Sequence, residues 1–105
     1  MMIDEKIEKT LLDLGLVKGY ADLNKQYYRL PSMEFHLIWV YYDDGRCSVP
    51  NDLYGMDGSI ITSVGTRSFN KVSDAIPFIK DLIRKYKILL VKLKKQELEQ
   101  DFKDV

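Results

Sequence analysis

The side chains best able to do chemistry gather in one stretch, "MEFHLIWVYYDDGRCSVP" at residues 33–50. It holds the chain's one histidine, one tryptophan and one cysteine, beside the adjacent aspartates Asp43 and Asp44. A cysteine nucleophile with a histidine base is the first chemistry to test, and it requires hydrogen-bond contact between the two. The same stretch reads as a β-hairpin turning at Asp44-Gly45, because Asp-Gly suits a two-residue turn between strands. That turn pairs Tyr42 with Cys47 and Val40 with Val49. His36 then lies six residues along the strand from the position facing Cys47, roughly 20 Å at 3.3 Å per residue. The dyad is rejected, and His36 reads as a packed or rim residue rather than a switch. Cys47 reads as a small buried hydrophobe.

The carboxylates offer a second chemistry. Asp43, Asp44, Asp52 and Asp57 would gather at one end of a sheet, where a divalent cation could sit, but their spacing matches no calcium loop. Turn formation explains them better, since aspartate bonds local backbone amides. One cysteine and one histidine cannot close a zinc site, and one cysteine cannot form an internal disulfide. The stretch "GMDGS" lacks the lysine of a phosphate loop. No nucleophile elbow occurs either. The expectation is a protein with no cofactor, no metal and no catalytic residues.

At 105 residues the chain has the size of one domain. Its N-terminus mixes charges from the start, unlike a leader peptide. The longest apolar run, "ILLV", is far too short for a bilayer. A cytoplasmic location without membrane contact is expected.

These residues must be positioned by ordinary elements. Apolar residues at Ile3, Ile7, Leu11 and Leu14 follow a helical period, with Asp4 as cap and Gly15-Leu16 as stop. "VKGYADLN" reads as a connector. Strands follow at "KQYYRL", at 33–42, at "RCSVP" and at "SIITSVGT", with "NDLYGMDG" as a loop after Pro50. The last helix begins near Ser73 as cap, takes Pro77 just inside, and runs without glycine or proline toward the end. The expected fold is α+β, in the order α-β-β-β-β-α: a four-stranded antiparallel meander flanked by two helices. Residues 1–105 form a single domain, and 88–105 form a helical extension projecting from it.

Two features speak to function. The 33–42 strand carries Phe35, Leu37, Trp39 and Tyr41 on one face and His36, Ile38, Val40 and Tyr42 on the other. A strand apolar on both faces expects cover on both. Eight of the twelve aromatics lie between Tyr20 and Tyr54, and Tyr and Trp are common at recognition surfaces. Charge is the second feature. The net charge is zero, yet residues 80–95 carry +6 and residues 96–105 carry −3.

The first function expected is therefore a non-enzymatic docking module: a small adaptor, inhibitor or regulatory protein. Small inhibitors encoded by viruses and mobile elements share this profile. Its partner is another protein, met through Trp39, Tyr41, Tyr42, Tyr86, Leu90 and Leu93, with a homodimer formed through the C-terminal helix. The alternative is nucleic-acid binding by Lys80, Arg84, Lys87, Lys94 and Lys95. The helix–sheet–helix order is similar to that of the double-stranded RNA-binding domain. That resemblance would put basic residues at the start of the second helix, where this chain has "SDAI". Its lysines come two to six turns later.

Overall fold

The computed structural model describes residues 3–56 and 60–103, with side chains described for residues 3–55 and 61–95. Seven elements follow in order: α1 (Glu5–Asp13), β1 (Val17–Ala21), β2 (Lys25–Arg29), β3 (Ile38–Tyr41), β4 (Cys47–Met56), β5 (Ile60–Phe69) and α2 (Val72–Lys103). The fold is α+β, and its sheet has five strands rather than the four expected. All neighbours are antiparallel, and spatial order equals chain order from β1 to β5.

The helix α1 forms as its ends dictate. Asp4 Oδ1 accepts from the N–H groups of Lys6 and Ile7, satisfying two donors that the helix itself leaves free. At the other end Gly15 takes φ 93°, which lets the Leu16 N–H donate back to the Leu11 carbonyl. Leu11 and Leu16 are both buried there.

Three strand expectations are corrected. The connector "VKGYA" is the edge strand β1, whose register slips between Lys18 and Ala21. Gln26 Nε2 holds that irregular stretch by donating to the carbonyls of Gly19 and Tyr20. The strand expected over 33–42 starts only at Ile38, because Arg29 Nη1 donates to the carbonyls of Leu30, Pro31 and Met33 and folds the preceding chain into a loop. And β4 does not stop at Pro50 but runs to Met56. Its pairing with β3 ends at Ser48, so Pro50 has a neighbour only on the β5 side, and a missing N–H disturbs at most one ladder.

The hairpin register also differs. Val40 faces Cys47 and Trp39 faces Ser48, which leaves a loop of Tyr42 to Gly45 instead of a two-residue turn. The slip is two residues, so each side chain keeps its face.

Both helices lie on the same side of the sheet. The pairs Tyr28–Ile38, Val40–Cys47 and Cys47–Phe69 put these residues on one face. The Tyr28 hydroxyl donates to Glu8 of α1, 3.2 Å away. Cys47 Sγ lies 3.9 Å from the Lys71 carbonyl at the start of α2, and the Phe69 ring lies 5.9 Å from Phe78 within α2. Leu11, Tyr28, Ile38, Val40, Cys47, Leu53 and Ile79 are fully buried between these layers.

The helix α2 begins one residue before Ser73, which is therefore inside it rather than its cap. Pro77 has no N–H for the Ser73 carbonyl four residues back. The helix spans 32 residues, about 48 Å at 1.5 Å per residue, in a molecule 56 Å long. Among the described residues no helix is long and apolar enough to cross a membrane.

Candidate functional site

With both helices on one side, no helix among the described residues covers the other face. The register gives that face Lys25 and Tyr27 from β2, paired with Tyr41 and Trp39 from β3. Tyr27, Trp39 and Tyr41 are half-buried, and Tyr20 on β1 is 63% exposed.

The rings pack as one continuous patch. Tyr27 is its centre, with ring centroids 5.7 Å from Tyr20, 4.7 Å from His36 and 5.9 Å from Trp39. Tilted aromatic pairs at such distances stabilise one another beyond their buried area. His36, in the loop before β3, therefore belongs to this face, and Cys47 belongs to the opposite one. Burial and the positive charge of Arg29 hold the imidazole below its ordinary pKa of 6.5. The Cys47 thiol is pushed up to about 11, chiefly by burial and then by Asp74.

Cations frame the rings. Lys25 Nζ stands 5.7 Å from the Tyr27 ring and 5.5 Å from the Tyr41 ring, and the Arg46 guanidinium lies 5.4 Å from Tyr41 on its other side. Each cation has its own carboxylate: Lys25 pairs with Asp22 at 3.4 Å, and Arg46 with Asp44 at 2.6 Å. Burial pulls the Lys25 pKa down, but Asp22 and Tyr27 outweigh it, and the net shift is upward. The backbone N–H of Asn24 leads the effects that lower Asp22, and that of Arg46 leads those that lower Asp44. The patch thus offers apolar ring area, polar tips and a charge-balanced rim.

The six side chains expected to meet a partner are divided among three places. Trp39 and Tyr41 stand together on the aromatic face. Tyr42 packs against the core on the helix side, at a cleft with Ile3 and Ile7. Tyr86 is buried at 4% exposure, its hydroxyl donating to the Ser32 carbonyl. Leu90 and Leu93 line a groove of about 340 Å³ with Phe35, Ile61 and Tyr86, and Glu34 at its rim.

The basic residues Lys80, Arg84, Lys87, Lys94 and Lys95 are all exposed on α2, with Arg84 paired to Asp81 at 3.2 Å. They lie on the helix side of the sheet, away from the aromatic patch. Asp44 and Asp52 each hold a cation, Arg46 and Lys85 respectively, and Asp57 lies outside the described residues. Among the described residues no three His, Cys, Asp or Glu side chains gather as a metal site.

Tyr20, Tyr27, Lys25 and His36 were absent from the expected set. Alternation in "KQYYR" separates Lys25 and Tyr27 from Gln26 and Tyr28, so the face of Tyr27 was readable once a partner strand was fixed. His36 was not, because a loop rather than the strand period aims it. No family model matches this chain, and neither a curated protein nor a solved structure does.

Proposed function

We propose that this protein is a non-enzymatic docking module whose contact surface is the aromatic face of its sheet. The observation that carries the reading is the placement of α1 and α2 on one side, which leaves Tyr20, Tyr27, Trp39 and Tyr41 in contact with solvent. Aromatic residues on a rigid sheet lose little conformational freedom on binding and carry much of the energy of protein interfaces. The rim suits a protein partner, because Lys25 and Arg46 each already have a carboxylate and Arg29 is engaged by the carbonyls of Leu30, Pro31 and Met33. Nucleic acid is less well served. Stacking rings and unpaired cations are needed on one surface for single strands, and here the α2 lysines stand on the other side of the sheet.

The test is capture of partners from lysate by the tagged protein, with and without nuclease, read by mass spectrometry. The reading expects a nuclease-resistant protein partner bound by the wild type and lost by Trp39→Ala and Tyr41→Ala. Capture that vanishes with nuclease, or survives both substitutions, overturns it.

A further inference from the structure

Tyr20, Tyr27 and Trp39 stand on three successive strands, β1, β2 and β3, with ring centroids 5.7 and 5.9 Å apart. The row they form is about as long as one turn of a polyproline II helix, roughly 9 Å. Their planes are tilted by 47° and 34° rather than stacked flat, so furrows run between the rings. The row also carries donors. Among the described residues no hydrogen bond engages the Trp39 indole N–H or the hydroxyls of Tyr20 and Tyr41, whereas the buried Tyr28 and Tyr86 each bond theirs within the fold. The cation positions are filled from within the chain, since Lys25 lies 5.5 Å and Arg46 5.4 Å from the Tyr41 ring.

We infer that this row binds a proline-rich segment in the polyproline II conformation. The inference rests on the docking reading above and names the class of its partner. Hydrogen-bond chemistry selects the occupant, because an indole N–H can only donate and needs an acceptor. A helix brings backbone groups already paired with one another. A β-strand brings as many N–H groups as carbonyls and needs a sheet edge to pair them, and the edge beside this row, β1, is interrupted by its register slip. A polyproline segment leaves its carbonyls unpaired and has no N–H at its prolines, so it supplies acceptors alone. Its rigid pyrrolidine rings are apolar and suit aromatic-lined furrows. Charge agrees. Lys25 and Arg46 each have a carboxylate and already occupy the cation positions on Tyr41, so a charged segment finds no unmet charge in these two cations.

Trp39 is the chain's one tryptophan, so its fluorescence reports this site alone. Titration with decaproline is expected to shift the Trp39 emission and to saturate, with Kd about 0.1–1 mM. A glycine-serine decapeptide and an alanine-rich helical peptide should leave the emission unchanged. The indole N–H gives a single proton resonance, expected to move downfield as it donates to a proline carbonyl. Tyr20→Ala, at a 63% exposed position, should raise Kd about fivefold or more while thermal unfolding stays cooperative. Arg84→Ala on α2, on the helix side of the sheet, should leave Kd unaltered. No decaproline binding up to about 10 mM overturns the proposal. Equal binding of the control peptides, or binding that Tyr20→Ala leaves intact, overturns it too. The two readings fail separately: decaproline without effect, beside lysate capture that Trp39→Ala abolishes, removes the polyproline partner and leaves the docking face standing.

Discussion

The imidazole of His36 lies so close over Gly19 that a Cβ built on residue 19 would stand 2.9 Å from Nε2. The bare glycine lets the histidine reach Tyr27, and so lets a loop residue extend the aromatic face. Gly19→Ala should therefore destabilise the protein by about 1 kcal/mol, the low end of overpacking costs. In a His36→Ala background the same change should be neutral or stabilising, because alanine is the better strand residue. A double-mutant cycle by urea unfolding measures the coupling. Additive effects would mean that the contact does not form in solution.

His36 also makes stability depend on pH in a definite direction. Its folded-state pKa is lowered by burial and by Arg29, so the folded protein resists protonating it. The neutral form's contribution is fully present above the unfolded value near 6.5 and is lost as pH falls from there through the folded value. Asp22, Asp44 and Asp52 have lowered values too, but their contribution is lost only in a more acid window, below the ordinary 3.8. Urea midpoints should thus fall in two stages on acidification, and His36→Gln should remove the first.

Trp39 and Ile38 are neighbours on opposite faces, and their truncations should rank against residue size. Ile38 is fully buried under the helices, so Ile38→Ala is expected to cost about 2–5 kcal/mol. Trp39 keeps one side in solvent, and Trp39→Ala should cost about 1–2 kcal/mol. Chemical denaturation of the two variants decides this. A larger loss for Trp39 would mean that the aromatic face is covered in the isolated protein.

Cys47 should behave as a packing group. It is fully buried, and its thiol is pushed up to about 11. Thiolate is the reactive form, so a disulfide reagent at pH 8 should modify the native protein only at the rate of unfolding. Rapid native labelling would contradict the buried position.

Some elements were legible because local rules alone build them. Asp4 and Gly15 bound α1, and the period from Ile79 to Leu93 marks α2 as a helix. The slip of the hairpin by two residues cost little, since a shift of two preserves the faces. Other elements depended on contacts distant in sequence or outside the regular period. The strand β1 holds Gly19 and has little alternation, and it exists by pairing with β2. The late start of β3 comes from one guanidinium, Arg29, gathering three carbonyls that no propensity records.

By itself the sequence determined that the strand through Trp39 is apolar on both faces, that Asp44 is a turn former, and that a basic block precedes an acidic one on the last helix, whereas Asp52, expected in a turn, lies within β4. It could not determine which face the helices cover. Alternation sorts side chains into two sets without saying which set meets another layer, and here both sets contain large apolar residues. Only the tertiary structure decided it, by placing Tyr28 against α1 and Phe69 against α2 on a single side. Tyr27, Trp39 and Tyr41 were left on the other. The same packing buried Ile79, Ile83 and Tyr86 of α2 and left Ile88 and Val91 exposed, because a helix resting on a sheet can bury one of its sides and must turn the other outward.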